Sequence, residues 1–144
     1  PTVYHTTWYL IPCVYTILYK SAKNWENAQA YCQSLNMDLV MVRSSEENSK
    51  LLTLSEKNSA WIGLRLETVS NIWKWVNGEQ AQFTNWDSKE PKVHYDKENC
   101  ATIEQNHQGK WSAMPCEEQN PFICSNGTLL LRIKLHPPPP HASR

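Results

Sequence analysis

The sequence predicts an α+β domain. Two stretches with helical spacing and helix caps lie early in the chain, and short β-rich stretches separated by turn signals follow them. No internal repeat breaks that order.

The elements follow in chain order. Residues 1–13 give no clear signal. Val14 to Tyr19 is rich in Val, Tyr, Ile and Thr and reads as a strand. Asn24 caps a helix expected to run to about Leu35, with Trp25, Ala28, Tyr31, Cys32 and Leu35 on one face. Leu39 to Val42 reads as a short strand. Ser44 followed by Glu47 reads as a capping box for a second helix to about Leu54, whose apolar side is Leu51, Leu52 and Leu54. Ala60 to Leu66 is apolar, and Ile72 to Val76 alternates before the turn signal Asn77-Gly78. From Gln82 to Asn99 the sequence is polar and irregular, with Asp87, Glu90, Pro91, Asp96 and Glu98 among Lys89, Lys92 and Lys97. A loop of this length usually binds something or moves. Strands are expected again at Cys100–Glu104, around Lys110–Ser112 and at Phe122–Cys124. Leu129 to Leu135 reads as an extension of the last strand or the start of a linker. Pro137 to Pro140 are stiff and mark a domain end.

Composition narrows the function classes. Fourteen basic residues balance fourteen acidic ones, so no excess positive charge exists to bind nucleic acid or an acidic membrane. Trp8 to Leu18 is fairly apolar but too short to cross a bilayer, and it contains Pro12. No basic leader with a cleavage site is visible at Pro1, so a leader or membrane anchor is expected only outside residues 1–144. The seven tryptophans and six tyrosines point to a small core built on large rings.

The five cysteines, Cys13, Cys32, Cys100, Cys116 and Cys124, include no C-x-x-C pair, which argues for long-range bridges rather than a zinc knuckle. His94, Cys100, His107 and Cys116 supply zinc ligand types, but their spacing matches no common site. The odd count leaves one thiol over. Asn126-Gly127-Thr128 is an acceptor sequence for N-linked sugar, and with the cysteines it favours an oxidising, secretory route. An enzyme is disfavoured: His94 and His107 read as surface residues, and Ser112 lies in no nucleophile-elbow motif.

Taken together, several strings resemble the C-type lectin-like domain family. They are Trp25, Ala28, Tyr31 and Cys32; Leu39-Val40-Met41-Val42 with Ser45-Glu46-Glu47-Asn48; and Trp61-Ile62-Gly63-Leu64. Trp73-Lys74-Trp75 with Gly78, Phe83 with Asn85-Trp86, Glu90-Pro91 and Glu98-Asn99-Cys100 follow. Trp111, Cys116 and Pro121-Phe122-Ile123-Cys124 complete the set. The resemblance covers roughly residues 14–125, leaving 1–13 as an amino-terminal segment and 126–144 as a carboxy-terminal extension or proline-rich linker. The Leu129–Leu135 run and the prolines resemble the junctions of fish-like tandem lectin-domain proteins.

The resemblance implies two helices flanking small antiparallel sheets, with a long irregular loop region covering one end. Trp61, Ile62, Leu64 and Trp111 are then core, Trp73 and Trp75 pack inward, and Gly63 allows a close backbone approach. It implies the bridges Cys32–Cys124 and Cys100–Cys116, the first closing a loop worth roughly 4 kcal/mol in the chain-entropy account. Longer family members carry an amino-terminal hairpin closed by two cysteines. Cys13 sits where the second would be, but Tyr4 stands near the position of the first, so Cys13 is either free, paired with another chain, or the mark of a truncated or altered start.

Sugar-binding members hold calcium through Glu-Pro-Asn or Gln-Pro-Asp, a later Glu, and Asn-Asp after a Trp. Here Glu90, Pro91 and Glu98 match, but Lys92, Ser112 and Ala113 replace ligand types. Calcium wants six to eight oxygens, so no metal is expected at this degenerate site; either the Lys92 ammonium offsets Glu90 and Glu98 instead, or Lys92 points to solvent and the loop is looser. Ser125 after Cys124 weakens a second, structural calcium site at Glu47. The expected function is an extracellular recognition module, secreted or on an ectodomain, binding a protein or other surface ligand. The alternatives are a carbohydrate-binding lectin working by another route, with or without calcium, and a structural module beside adjacent domains of a larger receptor.

Overall fold

The computed structural model describes residues 7–54, 59–127 and 129–135. The chain enters through strand β1 (Thr7–Cys13) and continues into β2 (Thr16–Lys23). The second strand therefore starts two residues later than the apolar signal at Val14 and runs on to Lys23.

Helix α1 (Trp25–Ser34) begins where Asn24 caps it: the Asn24 side chain accepts from the Asn27 N–H at 2.8 Å. Trp25, Ala28 and Cys32 are buried along one face. Tyr31 and Leu35, expected on that face, are 38% and 42% exposed and lie at its margin. Tyr31 still packs edge-on against Tyr19 and Phe122.

Strand β3 (Asp38–Leu39) is only two residues long, shorter than the stretch Leu39–Val42 suggests. The reason is that the next backbone groups bond singly to different strands rather than along one ladder. The Val40 N–H reaches the Ile123 carbonyl, and the Val40 carbonyl accepts from the Gly63 N–H at 2.8 Å. Helix α2 (Ser45–Leu51) ends before Leu54, with turns following. Its cap is half of the expected box. Ser44 Oγ accepts from the Glu47 N–H at 3.1 Å, but the Glu47 carboxylate accepts from the Arg43 N–H at 2.7 Å rather than from Ser44.

Strands β4 (Ser59–Glu67) and β5 (Ile72–Trp75) form a hairpin, and the Asn77-Gly78 turn follows with the Gly78 N–H bonded to the Trp75 carbonyl at 2.8 Å. After the long loop come β6 (Asn99–Glu104), a short 3-10 turn (Gln105–His107), β7 (Lys110–Pro115), β8 (Asn120–Ser125) and β9 (Leu129–Leu135).

Among the described residues, the main sheet runs β2-β8-β4-β6-β7, with β3 against β8 and β5 against β4. Pairings are antiparallel except the β4–β8 contact at Trp61 and Phe122. Two apolar clusters fill the interior. One gathers Ile62, Leu64, Trp75, Ile103 and Trp111; the other gathers Trp25, Cys32, Trp61, Phe122 and Cys124. This is the α+β architecture expected, with two helices against the sheet.

Leu129–Leu135 neither extends β8 nor runs off as a linker. It pairs in antiparallel register with Thr7–Cys13, from Thr7 opposite Leu135 to Cys13 opposite Leu129, as a separate two-stranded ribbon. Residues 1–6 and the proline-rich segment 136–144 lie outside the described residues.

Candidate functional site

The long loop between Gln82 and Glu98 covers one end of the sheet. Its first half is anchored by rings. Trp86 lies 4.8 Å from Trp73 and 5.8 Å from Trp111, and Phe83 is also 5.8 Å from Trp111, between ring centroids. Trp111 is fully buried, touches Trp75, and donates its indole N–H to the buried Asn48 side chain at 2.7 Å. The loop's far end joins β6, where the Cys100–Cys116 disulfide ties β6 to the end of β7. The Cys32–Cys124 disulfide joins α1 to β8, across 92 residues of sequence.

Strand β7 is the last in the sheet, and an edge strand leaves backbone groups unpaired. Here the loop pairs them. The Trp111 N–H donates to the Asn85 carbonyl, and the Trp111 carbonyl accepts from the Asp87 N–H, both at 2.9 Å. Two residues on, side chains take over. The Ala113 N–H donates to Glu90 Oε2 at 3.2 Å, and the Ala113 carbonyl lies 3.1 Å from His94 Nε2, which donates in the tautomer carrying its proton there. The same Glu90 oxygen accepts from the Lys92 N–H at 2.6 Å. Glu90–Pro91 is a cis peptide.

Asn99, 2% exposed, fastens the second half of the loop. Its Oδ1 accepts from the His94 N–H at 2.9 Å, and its Nδ2 donates to the His94 and Lys97 carbonyls at 3.0 Å each. His107 Nδ1 meets Asp87 Oδ2 at 2.9 Å, which holds the loop from the β6–β7 side. Lys97 pairs with Glu117, and the hydrogen bond it donates to that carboxylate holds the Lys97 ammonium above the usual lysine range.

Of the residues of the degenerate calcium site, Glu90, Lys92 and Ala113 come together here, with Ser112 beside Ala113, whereas the Glu98 side chain faces Arg65 of β4. Lys92 does not bridge the two acids: it makes no ion pair among the described residues, and its side chain is exposed. Its contribution is its backbone N–H. The cation beside Glu98 is Arg65 of β4, whose guanidinium meets Glu98 Oε2 at 2.6 Å and lies 5.4 Å from the Trp25 ring centre. Burial of the Trp25 side chain, with its indole N–H on the Ile62 carbonyl at 2.9 Å, keeps that ring in place. Ser112 and Ala113 lie on β7 opposite Thr102 and Ala101.

Elsewhere, Glu47 is engaged at the start of α2 as a cap, Cys13 ends β1 opposite Leu129, and Asn126 follows β8. The sequence reading missed Arg65, took His94 for a surface residue although it is half-buried and bonded to Asn99 and Ala113, and gave Asn99 no role beyond a family string. Arg65 was detectable as the one charge inside the apolar run Ala60–Leu66. Asn99 was detectable only as an amide between Glu98 and a bridged cysteine.

The sequence profile of the Lectin C-type domain matches residues 21–126, and the chain belongs to that family. Among its relatives is human lymphocyte antigen 75, 28% identical over 113 residues, which cover 75% of this chain and 6% of that protein. The rabbit secretory phospholipase A2 receptor is 32% identical over 110 residues, which cover 74% of this chain and 8% of the receptor. The chain thus spans a small part of the length of either relative. In three dimensions it resembles the carbohydrate-recognition domain of the mouse scavenger receptor C-type lectin, with a TM-score of 0.68 and 27% identity over 79% of this chain and 88% of that one. No helix among the described residues is long and apolar enough to cross a membrane.

Proposed function

We propose that this domain is a non-catalytic extracellular recognition module that binds a protein or other surface ligand, without the calcium-dependent sugar site of its sugar-binding relatives. The observation that carries the reading is the engagement of the two retained acids. Glu90 accepts two backbone N–H groups, and Glu98 is paired with Arg65. Calcium takes six to eight oxygens, yet Lys92 brings a cation and Ala113 no side-chain oxygen. Two disulfides and receptor relatives support the extracellular setting.

The loop meanwhile presents Tyr95, 89% exposed, between His94 and Lys97, whose backbone groups Asn99 holds. A tyrosine on a fixed backbone supplies contact area with little ordering cost, as protein-binding anchors do.

Calorimetric calcium titration of the wild type and of Glu90→Gln tests the metal part. No binding in the micromolar to low-millimolar range is expected. Binding in that range that vanishes in Glu90→Gln overturns the proposal. A glycan array read with calcium and with chelator tests the ligand class, and calcium-dependent retention restores the sugar-binding reading.

A further inference from the structure

A groove of about 630 Å3 runs between the end of α1, β3, the start of α2 and the exit of β8. That size lies within the range of about 300–1,000 Å3 typical of small-ligand sites. Its apolar lining includes Val14, Met37, Val40 and Met41, and Asn126 and Gly127 stand at its side. Val14 is 60% exposed, and Met37 and Met41 are half-buried.

Asn126 is held in one orientation. Its backbone N–H donates to the Tyr15 carbonyl at 3.1 Å, and its Oδ1 accepts from the Tyr15 N–H at 2.8 Å. Together these continue the β2–β8 pairing by one step beyond Thr16 and Ser125. The Nδ2 atom makes no hydrogen bond among the described residues. A sugar on Nδ2 leaves Oδ1 an acceptor, so the Tyr15 bond survives the modification. Gly127 has φ +65°, and beyond its chain neighbours no atom of the described residues lies within 4 Å of where its side chain would begin.

We propose that Asn126 carries an N-linked glycan and that its first N-acetylglucosamine residues lie along this groove, covering Val14, Met37 and Met41. The donor is a lipid pyrophosphate-linked oligosaccharide of the secretory pathway. The Nδ2–C1 bond forms, the C1–O bond to the pyrophosphate breaks, and the Nδ2 proton leaves with the lipid pyrophosphate. Asn126-Gly127-Thr128 supplies the acceptor sequence. The pyranose rings present C–H faces to the methionines and Val14, while their hydroxyls face water.

The full chain secreted from a eukaryotic cell line provides the test. Intact mass is measured before and after peptide-N-glycosidase, which removes the glycan and leaves Asp at position 126. The glycosylated protein, the enzyme-treated protein and an Asn126→Gln variant are then exposed to dilute peroxide, and oxidation of each methionine is followed by peptide mapping. The expected result is a glycan on Asn126. Met37 and Met41 then oxidise several-fold faster in both sugar-free forms, while Met114 on β7 oxidises at one rate in all three. The enzyme-treated form keeps an acceptor for the Tyr15 N–H, so the comparison survives if Asn126→Gln folds poorly. An unmodified Asn126 in secreted protein, or equal Met37 and Met41 oxidation with and without sugar, overturns the proposal.

Discussion

Replacing Asn99 by alanine removes three hydrogen bonds that cross the second half of the loop: one from the His94 N–H and two to the His94 and Lys97 carbonyls. Each is worth about 1 kcal/mol net, and the released loop groups can regain water in part, so a loss of about 2–3 kcal/mol is expected. For a domain of this size that lowers the melting temperature by about 6–12 °C. Urea unfolding should show a lower midpoint with an unchanged slope, and amide exchange over residues 92–98 should quicken more than exchange in β4. Asn99→Asp separates the two halves of the role. It keeps the acceptor for the His94 N–H but sets a carboxylate oxygen against two carbonyls, so it should be at least as destabilising as alanine. The reasoning fails if Asn99→Ala changes stability by less than about 0.5 kcal/mol, the range of an ordinary surface substitution. It also fails if exchange in 92–98 does not change.

Gly63→Ala should destabilise by about 1–3 kcal/mol in urea unfolding, the range for overpacking. A Cβ there would sit 2.8 Å from the Leu39 carbonyl oxygen and 3.0 Å from that of Val40, which are backbone atoms and cannot swing aside. On the β4–β5 hairpin, the Lys74 ammonium and then the Ser70 hydroxyl hold the Glu67 carboxyl below its ordinary range. A depressed carboxyl contributes stability above its unfolded pKa and loses it as pH falls through the folded value. Lys74→Met should therefore raise the Glu67 pKa in a carboxyl NMR titration and flatten the acid-side slope of stability, and an unmoved Glu67 would contradict the pairing.

Local chemistry made most of the fold legible. Asn24 and Ser44 marked both helix starts because a cap is a short-range bond, and the Asn77-Gly78 turn was visible for the same reason. What failed was pairing at a distance. Val40–Val42 has the composition of a strand, but the two backbone bonds of Val40 go to β8 and β4 in turn, and no local pattern records that. The apolar alternation of Leu131, Ile133 and Leu135 with Arg132 and Lys134 is a strand signal, yet it cannot name Thr7–Cys13 as its partner. At the candidate site, the sequence located Glu90 and Glu98 and the substitutions around them. It offered Lys92 as the offsetting charge, with a solvent-facing Lys92 as the alternative; Lys92 is exposed, and the fold brings Arg65 to Glu98 from 33 residues away.

That difference changes what calcium would have to overcome at this end of the domain. A carboxylate with no partner is available to a metal, and only the number of neighbouring oxygens then limits affinity. Glu90 is not in that state, because it stands in for a missing strand and completes the outer edge of β7 at Ala113 while also holding the Lys92 N–H. Both N–H groups are on Oε2, so a cation that draws this oxygen away competes with them. Hydrogen bonds to charged groups are worth about 1.5–3 kcal/mol each, and less where the freed group regains water, as the exposed Lys92 N–H would, so the competition weakens a metal site without closing it. Glu98 faces a similar competition from Arg65, discounted because both side chains are more than a third exposed. On the proposed reading, then, the loop is not a metal site lacking three ligands. Of its retained acids, Glu90 takes part in closing the sheet edge and Glu98 pairs with Arg65, and a bound ion would compete with both arrangements.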